Sequence, residues 1–357
     1  LKKLLYITTN LQDSGGVSRI LSVKLNYLID KYHYEIFVIN TNQNNLGFFY
    51  EFNSQIKFFV IDTKQLFNYK KELNVLIDTI EPDIILNCDN GLKGSLLPYL
   101  ITRKMPLIYE RHCSRNISAS SLFEKFKLTL SNWLLQMSIN SYKYFIVLNE
   151  EEKNDWKSVN IQVLSNPLWF SLPKSSNKKD SKIVIAVGRH SYEKGYDKLI
   201  LIWELVVKTH PDWVLKIYGY MGENLLLKRM VSDKNLESNI QFYDPIDNVE
   251  KIYSEASMLL STSESEAFGL VLIEAMAFGK PVIAFDGTSG TKTIIQNKEN
   301  GFLVKENDMD AFVEKVNLLI GDKNLRYKMG EKAKSSIEKY NLNKIMKHWD
   351  SVFKSLY

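Results

Sequence analysis

The chain has 357 residues, 45% apolar, 24% charged and 12% aromatic, an ordinary composition for a globular protein that excludes disordered, collagen-like and coiled-coil chains. That length exceeds one usual core and fits two domains. Two cysteines, Cys88 and Cys113, cannot build a disulfide framework, and a net charge of +5 is too small for a dedicated nucleic-acid binder. No leader-like segment opens the sequence, and the longest uncharged stretch around the middle of the N-terminal half, Leu128–Tyr142, is short of a membrane span, so a cytoplasmic location is expected. The charge excess is local. Of 46 cationic and 41 anionic residues, 17 and 12 fall in residues 1–149, and 29 and 29 in the remainder. Such a surface suits an anionic membrane or an acidic small molecule, or is simply solvated lysine.

The apolar run Leu4–Thr8, a polar loop and a stretch with Ile20, Leu21, Leu25 and Leu28 predict strand, loop and helix. Further strands are predicted at Glu35–Ile39, Ile56–Val60, Asp83–Asn87, Pro106–Tyr109, Tyr144–Leu148 and Ile161–Leu164. The Lys- and Ser-rich segment Pro173–Asp180 reads as a linker. A second series follows, with strands at Ile183–Val187, Val214–Tyr218, Ile240–Tyr243, Met258–Leu260, Pro281–Phe285 and Gly301–Val304. Its helices are predicted near Tyr196–Lys208, Asn224–Lys234, Leu270–Phe278 and Asp310–Ile320, and an amphipathic stretch, Leu342–Tyr357, closes the chain. Strands alternating with helices imply parallel sheets covered on both faces, whose ligands bind beyond the carboxyl ends of the strands.

The strongest local signal is the segment from Ser263 to Pro281. Glu266 and Glu274 stand eight positions apart, so Glu274 lies on a helix whose first turn follows Glu266. The backbone N–H groups of Ala267, Phe268, Gly269 and Leu270 then suit phosphate or sugar oxygens; an acidic helix start complementing the dipole is the alternative. After the first strand of the second series, Gly188-Arg189-His190-Ser191-Tyr192-Glu193-Lys194 puts two cations on one strand-to-helix loop, a match for a diphosphate.

Together, these two segments resemble the family 4 retaining glycosyltransferases of GT-B fold, of the kind that builds bacterial surface polysaccharides. The same order holds for Gly15-Gly16-Val17-Ser18-Arg19, Glu110-Arg111-His112, Val147–Lys153, Ser165-Asn166-Pro167 and Asn300–Val304, so the resemblance covers nearly the whole chain. It implies an α/β architecture of two Rossmann-like domains facing each other across a cleft. Residues 1–170 would bind the acceptor and 171–341 the nucleotide sugar, with a C-terminal helix of about 342–357 packing back on the first domain. Arg189 and Lys194 match the diphosphate-binding cations, Glu266 the carboxylate on the donated sugar, and Glu274 the one on the ribose. Gly15 and Gly16 match the loop that approaches the donor phosphate. His112, or its neighbour Arg111, matches the residue near the sugar's 6-hydroxyl. Gly188, Gly219 and Tyr220 complete the donor site, Tyr220 as a wall beside the base.

The implied reaction moves a hexose or N-acetylhexosamine from a nucleoside diphosphate sugar, UDP on family grounds, to a glycan or lipid-linked glycan. No cofactor and no metal is expected, the nucleotide sugar being a substrate, and no nucleic-acid partner. A nucleotide-sugar epimerase or hydrolase on the same fold is one alternative; a catalytically silent partner of another transferase is a second. One departure touches the donor pocket: in Ser289-Gly290-Thr291-Lys292-Thr293, Thr293 stands where the family usually has a carboxylate. Asp308-Met309-Asp310 spells a metal-binding DxD, but Asp308 at a helix start reads better as an N-cap. Cys88, Cys113 and His112 fall short of a zinc site. Finally, Lys125 and Lys127 interleave with aromatics from Ser121 to Leu135, Trp133 among them, as expected of a helix docking on an anionic membrane. Alternatively, Leu128, Leu130, Leu134, Leu135 and Met137 pack that helix onto the sheet.

Overall fold

The computed structural model describes residues 2–41, 47–61, 65–115, 122–173, 181–222, 225–246 and 248–356, giving the backbone alone for 122–125. The linker expected at Pro173–Asp180 lies outside the described residues from Lys174 onward. The chain forms two compact units: one runs to Trp169 and takes up the chain again at Leu342, and the other is Phe170–Asn341.

The first unit runs β1 (Lys3–Thr8), α1 (Gly16–Tyr32), β2 (Glu35–Asn40), β3 (Lys57–Val60), α2 (Leu66–Ile80), β4 (Ile84–Asn87) and α3 (Leu92–Leu100). It continues with β5 (Leu107–Glu110), α4 (Leu122–Ser138), β6 (Tyr144–Val147), α5 (Glu150–Asn154) and β7 (Ile161–Val163). Its strands pair in parallel in the order β3-β2-β1-β4-β5-β6-β7. Alternation along β1 supplies both cores. Leu4 and Tyr6 pack with Leu21, Leu25 and Leu28 of α1, whereas Leu5 and Ile7 pack with Tyr69, Leu73 and Ile77 of α2.

The second unit runs β8 (Ile183–Val187), α6 (Tyr196–Val207), β9 (Val214–Tyr218), α7 (Leu226–Asp233), β10 (Ile240–Tyr243), α8 (Val249–Glu255) and β11 (Met258–Ser261). After these come α9 (Leu270–Ala277), β12 (Val282–Phe285), α10 (Ser289–Ile294), β13 (Gly301–Val304), α11 (Met309–Gly321) and α12 (Lys323–Ser336). Its parallel sheet has the order β10-β9-β8-β11-β12-β13. The two sheets reverse direction of winding between β1 and β4 and between β8 and β11, the switch points at which open α/β sheets bind ligands. The last helix, α13 (Leu342–Lys354), belongs to the first unit, where Ile345, Met346, Trp349 and Phe353 join the core of β1 and α1. Burial of such side chains contributes about 1.5–3 kcal/mol each, ample to hold the helix.

The predicted strands and the observed ones differ by a residue at some ends. In the second unit three helices were not anticipated: α8 and α10, which are short, and α12, whose polar sequence hides its periodicity. That last helix is fastened by Asp322, which accepts the Leu325 N–H at 2.9 Å, and by buried Arg326, which donates to the carbonyls of Leu319 and Ile320. The packing alternative for α4 holds for Leu135, which is buried; Leu130 and Met137 are exposed instead.

Candidate active site

In the second unit, four loops meet at the β8/β11 switch point, and glycines set how closely they approach. Gly219, at the end of β9, has φ +154°, and a Cβ there would stand 1.9 Å from the Gly188 carbonyl oxygen. Gly195 has φ +60°, and its missing Cβ would lie 2.4 Å from the Thr262 carbonyl oxygen. The Thr262 hydroxyl lies 3.0 and 2.8 Å from the carbonyl oxygens of Lys194 and Gly195 and donates to the nearer, and Glu264 N–H donates to the Glu193 carbonyl at 2.8 Å. The loop after β8 is thereby bound to the loop after β11, and two ion pairs cross the seam. Lys194 Nζ stands 2.5 Å from Glu266 Oε2, with side chains 18% and 20% exposed, and Lys198 pairs with Glu264 beside it. Arg189 lies on the same loop, exposed, its guanidinium 3.7 Å from Glu193.

Beyond Glu266 the chain turns through Gly269, at φ +90°, into α9. That helix is apolar except for Glu274 and is buried from Leu272 to Ala277, its first two residues being half-buried. Its carboxylate, on the second turn, accepts a 2.8 Å hydrogen bond from Tyr253 of α8. Phe268 is buried edge-on to Tyr340 at 5.2 Å. Gly290 N–H donates to the Glu266 carbonyl at 3.0 Å, and a Cβ at Gly290 would meet the Phe268 carbonyl oxygen at 2.6 Å. Thr293 is half-buried on α10, whose N-cap is Thr288. Tyr220 is exposed. The second unit thus gathers Gly188, Arg189, Lys194, Gly219, Tyr220, Glu266 and α9 with Glu274 at the loops and helices flanking one switch point.

In the first unit, Gly15 caps α1 at the β1/β4 switch point with φ −73°, a value open to any residue. What excludes a side chain there is Asp13, whose Oδ1 accepts from Gly15 N–H at 3.1 Å and from the Ser18 hydroxyl at 2.7 Å and would lie 2.9 Å from a Cβ. Gly16 is the first, exposed residue of the helix. Arg19 lies between Tyr50 and Trp169, 3.8 Å from each ring centroid.

His112 follows β5 in the first unit. Its imidazole is turned inward and only 2% exposed, with Nε2 3.5 Å from Glu110 Oε1. Glu110 in turn binds Lys24 of α1, Nζ to Oε2 at 2.5 Å, and Lys24 lies 3.2 Å over the ring of Trp349 on α13. Burial lowers the Lys24 and His112 pKa values; burial would raise that of Glu110, but its neighbours, the Lys24 ammonium foremost, outweigh it and hold the carboxyl below its ordinary range. His112 is accordingly a neutral imidazole beside a buried ion pair. Its neighbour Arg111 is also buried, 4.7 Å from the Trp156 ring centroid and donating to Ser114 and Asn132. Cys88 Sγ, 3.6 Å from Glu110 Oε2, completes with His112 the one cluster among the described residues with metal-ligand chemistry. The Lys24 ammonium already neutralises its carboxylate, so the trio reads as the lining of the ion pair. Asp308, of the apparent DxD, accepts the Ala311 N–H at 3.0 Å and caps α11.

Sequence reasoning missed Tyr253, Lys24 and the Lys198–Glu264 pair. Lys24 left a trace: it falls among Ile20, Leu21, Leu25 and Leu28, a cation inside an apolar helical stripe. Nothing near Tyr253 in sequence marks it, because its partner is supplied by the next helix.

Residues 169–336 match the family described as Glycosyl transferases group 1. A Haemophilus influenzae protein named an uncharacterized glycosyltransferase is 28% identical over 99% of this chain and 100% of its own length. The amylovoran biosynthesis glycosyltransferase AmsD of Erwinia amylovora is 26% identical over 98% of this chain and 99% of its own. Among solved structures, a mutant of TarM from Staphylococcus aureus, in complex with fondaparinux, α-GlcNAc-glycerol and UDP, superposes with a TM-score of 0.82 at 17% identity, covering 99% of this chain and 100% of that one. The chain is a glycosyltransferase of GT-B fold, and its second unit carries the group 1 glycosyltransferase domain.

Proposed function

We propose that this enzyme transfers a hexose or N-acetylhexosamine, with retention of anomeric configuration and without a metal ion, from UDP-sugar to a glycan or lipid-linked glycan of the cell surface. The observation that carries this reading is the gathering of Arg189, Lys194, Glu266 and Glu274 at one switch point. Two cations suit a diphosphate, the partly buried Glu266 beside them suits sugar hydroxyls, and Glu274 on α9 suits a ribose. The UDP assignment draws on the TarM structure, which holds UDP, and the polymer assignment on the name of AmsD.

In the reaction, the bond from the sugar's C1 to the β-phosphate oxygen breaks, and its electron pair leaves with UDP. The acceptor hydroxyl attacks C1 from the face just vacated, and its proton passes to an oxygen of the departing phosphate. Arg189 and Lys194 neutralise charge that grows on the leaving group, so they act most strongly at the transition state. Glu266 orients the sugar through its hydroxyls. Incubating the protein with a panel of UDP-sugars and glycan acceptors in EDTA tests the whole reading. Acceptor-dependent product with the donor's anomeric configuration, read by proton NMR, is expected. Inverted product, acceptor-independent release of free sugar, or activity only after manganese is restored would reject it.

Membrane docking is a second part of the proposal. No helix among the described residues is long and apolar enough to cross a membrane. However, Phe126, Leu130, Trp133 and Met137, spaced four, three and four residues apart, form an exposed apolar stripe along α4, with Lys127 exposed beside it. Lys125, expected to contribute, lies outside the described side chains. Cosedimentation with anionic liposomes that is abolished by Phe126→Ser with Trp133→Ser supports docking; equal recovery of wild type and variant in the pellet contradicts it.

A further inference from the structure

We propose that Tyr253 is a positioning residue for donor recognition, its hydroxyl holding the Glu274 carboxylate in the orientation that receives the ribose hydroxyls of the nucleotide. The inference rests on the reading of Glu274 as the ribose residue and adds to it a residue that touches no substrate. Tyr253 is fully buried on α8, and its hydroxyl lies 2.8 Å from Glu274 Oε2 and 3.5 Å from the Val271 carbonyl oxygen. Having one hydrogen, the hydroxyl gives it to the closer and charged acceptor, the carboxylate. The ring is fixed independently of that bond. It stacks on Phe278 at 5.6 Å and 21°, and Phe278 in turn meets Phe170 at 5.5 Å. A buried phenol stacked on Phe278, itself backed by Phe170, is a fixed donor that restricts where the Glu274 carboxylate can turn.

Burial, followed by the charge of Glu274, pushes the Tyr253 pKa well above the ordinary tyrosine value, so the group stays a donor throughout the working range. Phenylalanine would fill the same space, so the hydroxyl is the part that needs a reason. Structural satisfaction and ribose positioning both supply one, and they differ in what its loss changes. A purely structural bond lowers stability and leaves the ligand preference of the folded protein alone. A positioning bond changes specifically the advantage of a ribose over a sugar that lacks its hydroxyls.

The test uses full-length wild type, Tyr253→Phe and Glu274→Gln, and measures Kd for UDP and for 2′,3′-dideoxy-UDP by calorimetry. In the wild type UDP is expected to bind more tightly, and Glu274→Gln to bring the two ligands close together. Tyr253→Phe is expected to reduce the UDP advantage by about tenfold, the scale of one hydrogen bond to a charged group, with dideoxy-UDP affinity unchanged. Turnover at saturating donor should stay within about twofold of wild type, because a ribose contact is the same in ground and transition states. If Tyr253→Phe folds poorly, Tyr253→Met fills the space without a hydroxyl and is read by the same ratio. An unchanged UDP advantage in a folded Tyr253 variant, beside its loss in Glu274→Gln, overturns the positioning role alone. An unchanged advantage in Glu274→Gln overturns the ribose reading and this inference with it.

Discussion

Lys194→Met separates what the Lys194–Glu266 pair does for the fold from what it does for the reaction. The pair is short, at 2.5 Å, and each side chain is about one-fifth exposed, so it stands between a surface ion pair and a buried one. Removing the ammonium leaves Glu266 partly buried without its partner, which should cost about 1–2 kcal/mol, less than the 3–5 kcal/mol typical of a fully buried pair. Glu264 keeps its own partner Lys198, and Thr262 still fastens the loop, so the damage stays local. Turnover should respond more strongly. A preorganised cation facing a departing diphosphate contributes about 3 kcal/mol at the transition state, so kcat should fall on the order of a hundredfold at saturating donor. The double variant Lys194→Met with Glu266→Gln removes the orphaned charge and should regain most of the lost stability while remaining slow. Thermal melts read the first effect, and UDP release under saturating donor and acceptor the second. Wild-type kcat in folded Lys194→Met would refute the reasoning; so would recovery of turnover in the double variant.

Three further outcomes follow from particular contacts. Gly195→Ala should weaken UDP binding by at least about tenfold, since a Cβ 2.4 Å from the Thr262 carbonyl, at φ +60°, forces apart the two loops that carry Lys194 and Glu266; calorimetric affinity equal to wild type would contradict this. Lys24→Met should lower unfolding free energy by about 3–5 kcal/mol in denaturant titrations by stranding the buried Glu110 carboxylate, and adding Glu110→Gln should recover much of it. Burial pushes the Glu152 carboxyl up to about 8 from an ordinary 4.5, so the folded state keeps a proton that the unfolded chain releases. Stability present below pH 4.5 is therefore lost as pH rises toward 8, and Glu152→Gln should flatten that slope and melt higher than wild type at pH 8.5, by on the order of 1 kcal/mol or more. A Glu152→Gln protein with the wild-type pH slope would place the loss elsewhere.

Much of the framework was legible because both sheets are parallel and buried on two faces. Their strands read as unbroken apolar runs such as Ile183–Val187, and loops with Gly188 or Gly219 end them sharply. The place of Glu274 on a helix followed from spacing alone. What sequence cannot carry is the partner brought from elsewhere in the chain. Tyr253 reaches Glu274 from the preceding helix, and Trp349 closes over Lys24 from a helix 325 positions away in sequence. His112 shows the same limit from the other side. Its position after β5 was readable, but not that its ring is buried beside Glu110, whose partner Lys24 comes from α1. For α4, amphipathic spacing gave the helix without telling which of its apolar residues meet the core, because Leu130, Leu134 and Leu135 satisfy either face. The N-cap reading of Asp308 succeeded because capping is local: the acceptor and the Ala311 N–H lie three residues apart.

On this reading, the loops flanking the β8/β11 switch point bind a nucleoside diphosphate sugar by its phosphates and ribose. The most direct measurement is a crystal structure of the full chain grown with UDP and EDTA. The diphosphate is expected against Arg189 and Lys194, with Lys194 drawn from Glu266 toward the phosphate, and the ribose hydroxyls on Glu274. UDP bound elsewhere, or bound here with its ribose turned from Glu274 and its phosphates away from both cations, would contradict it.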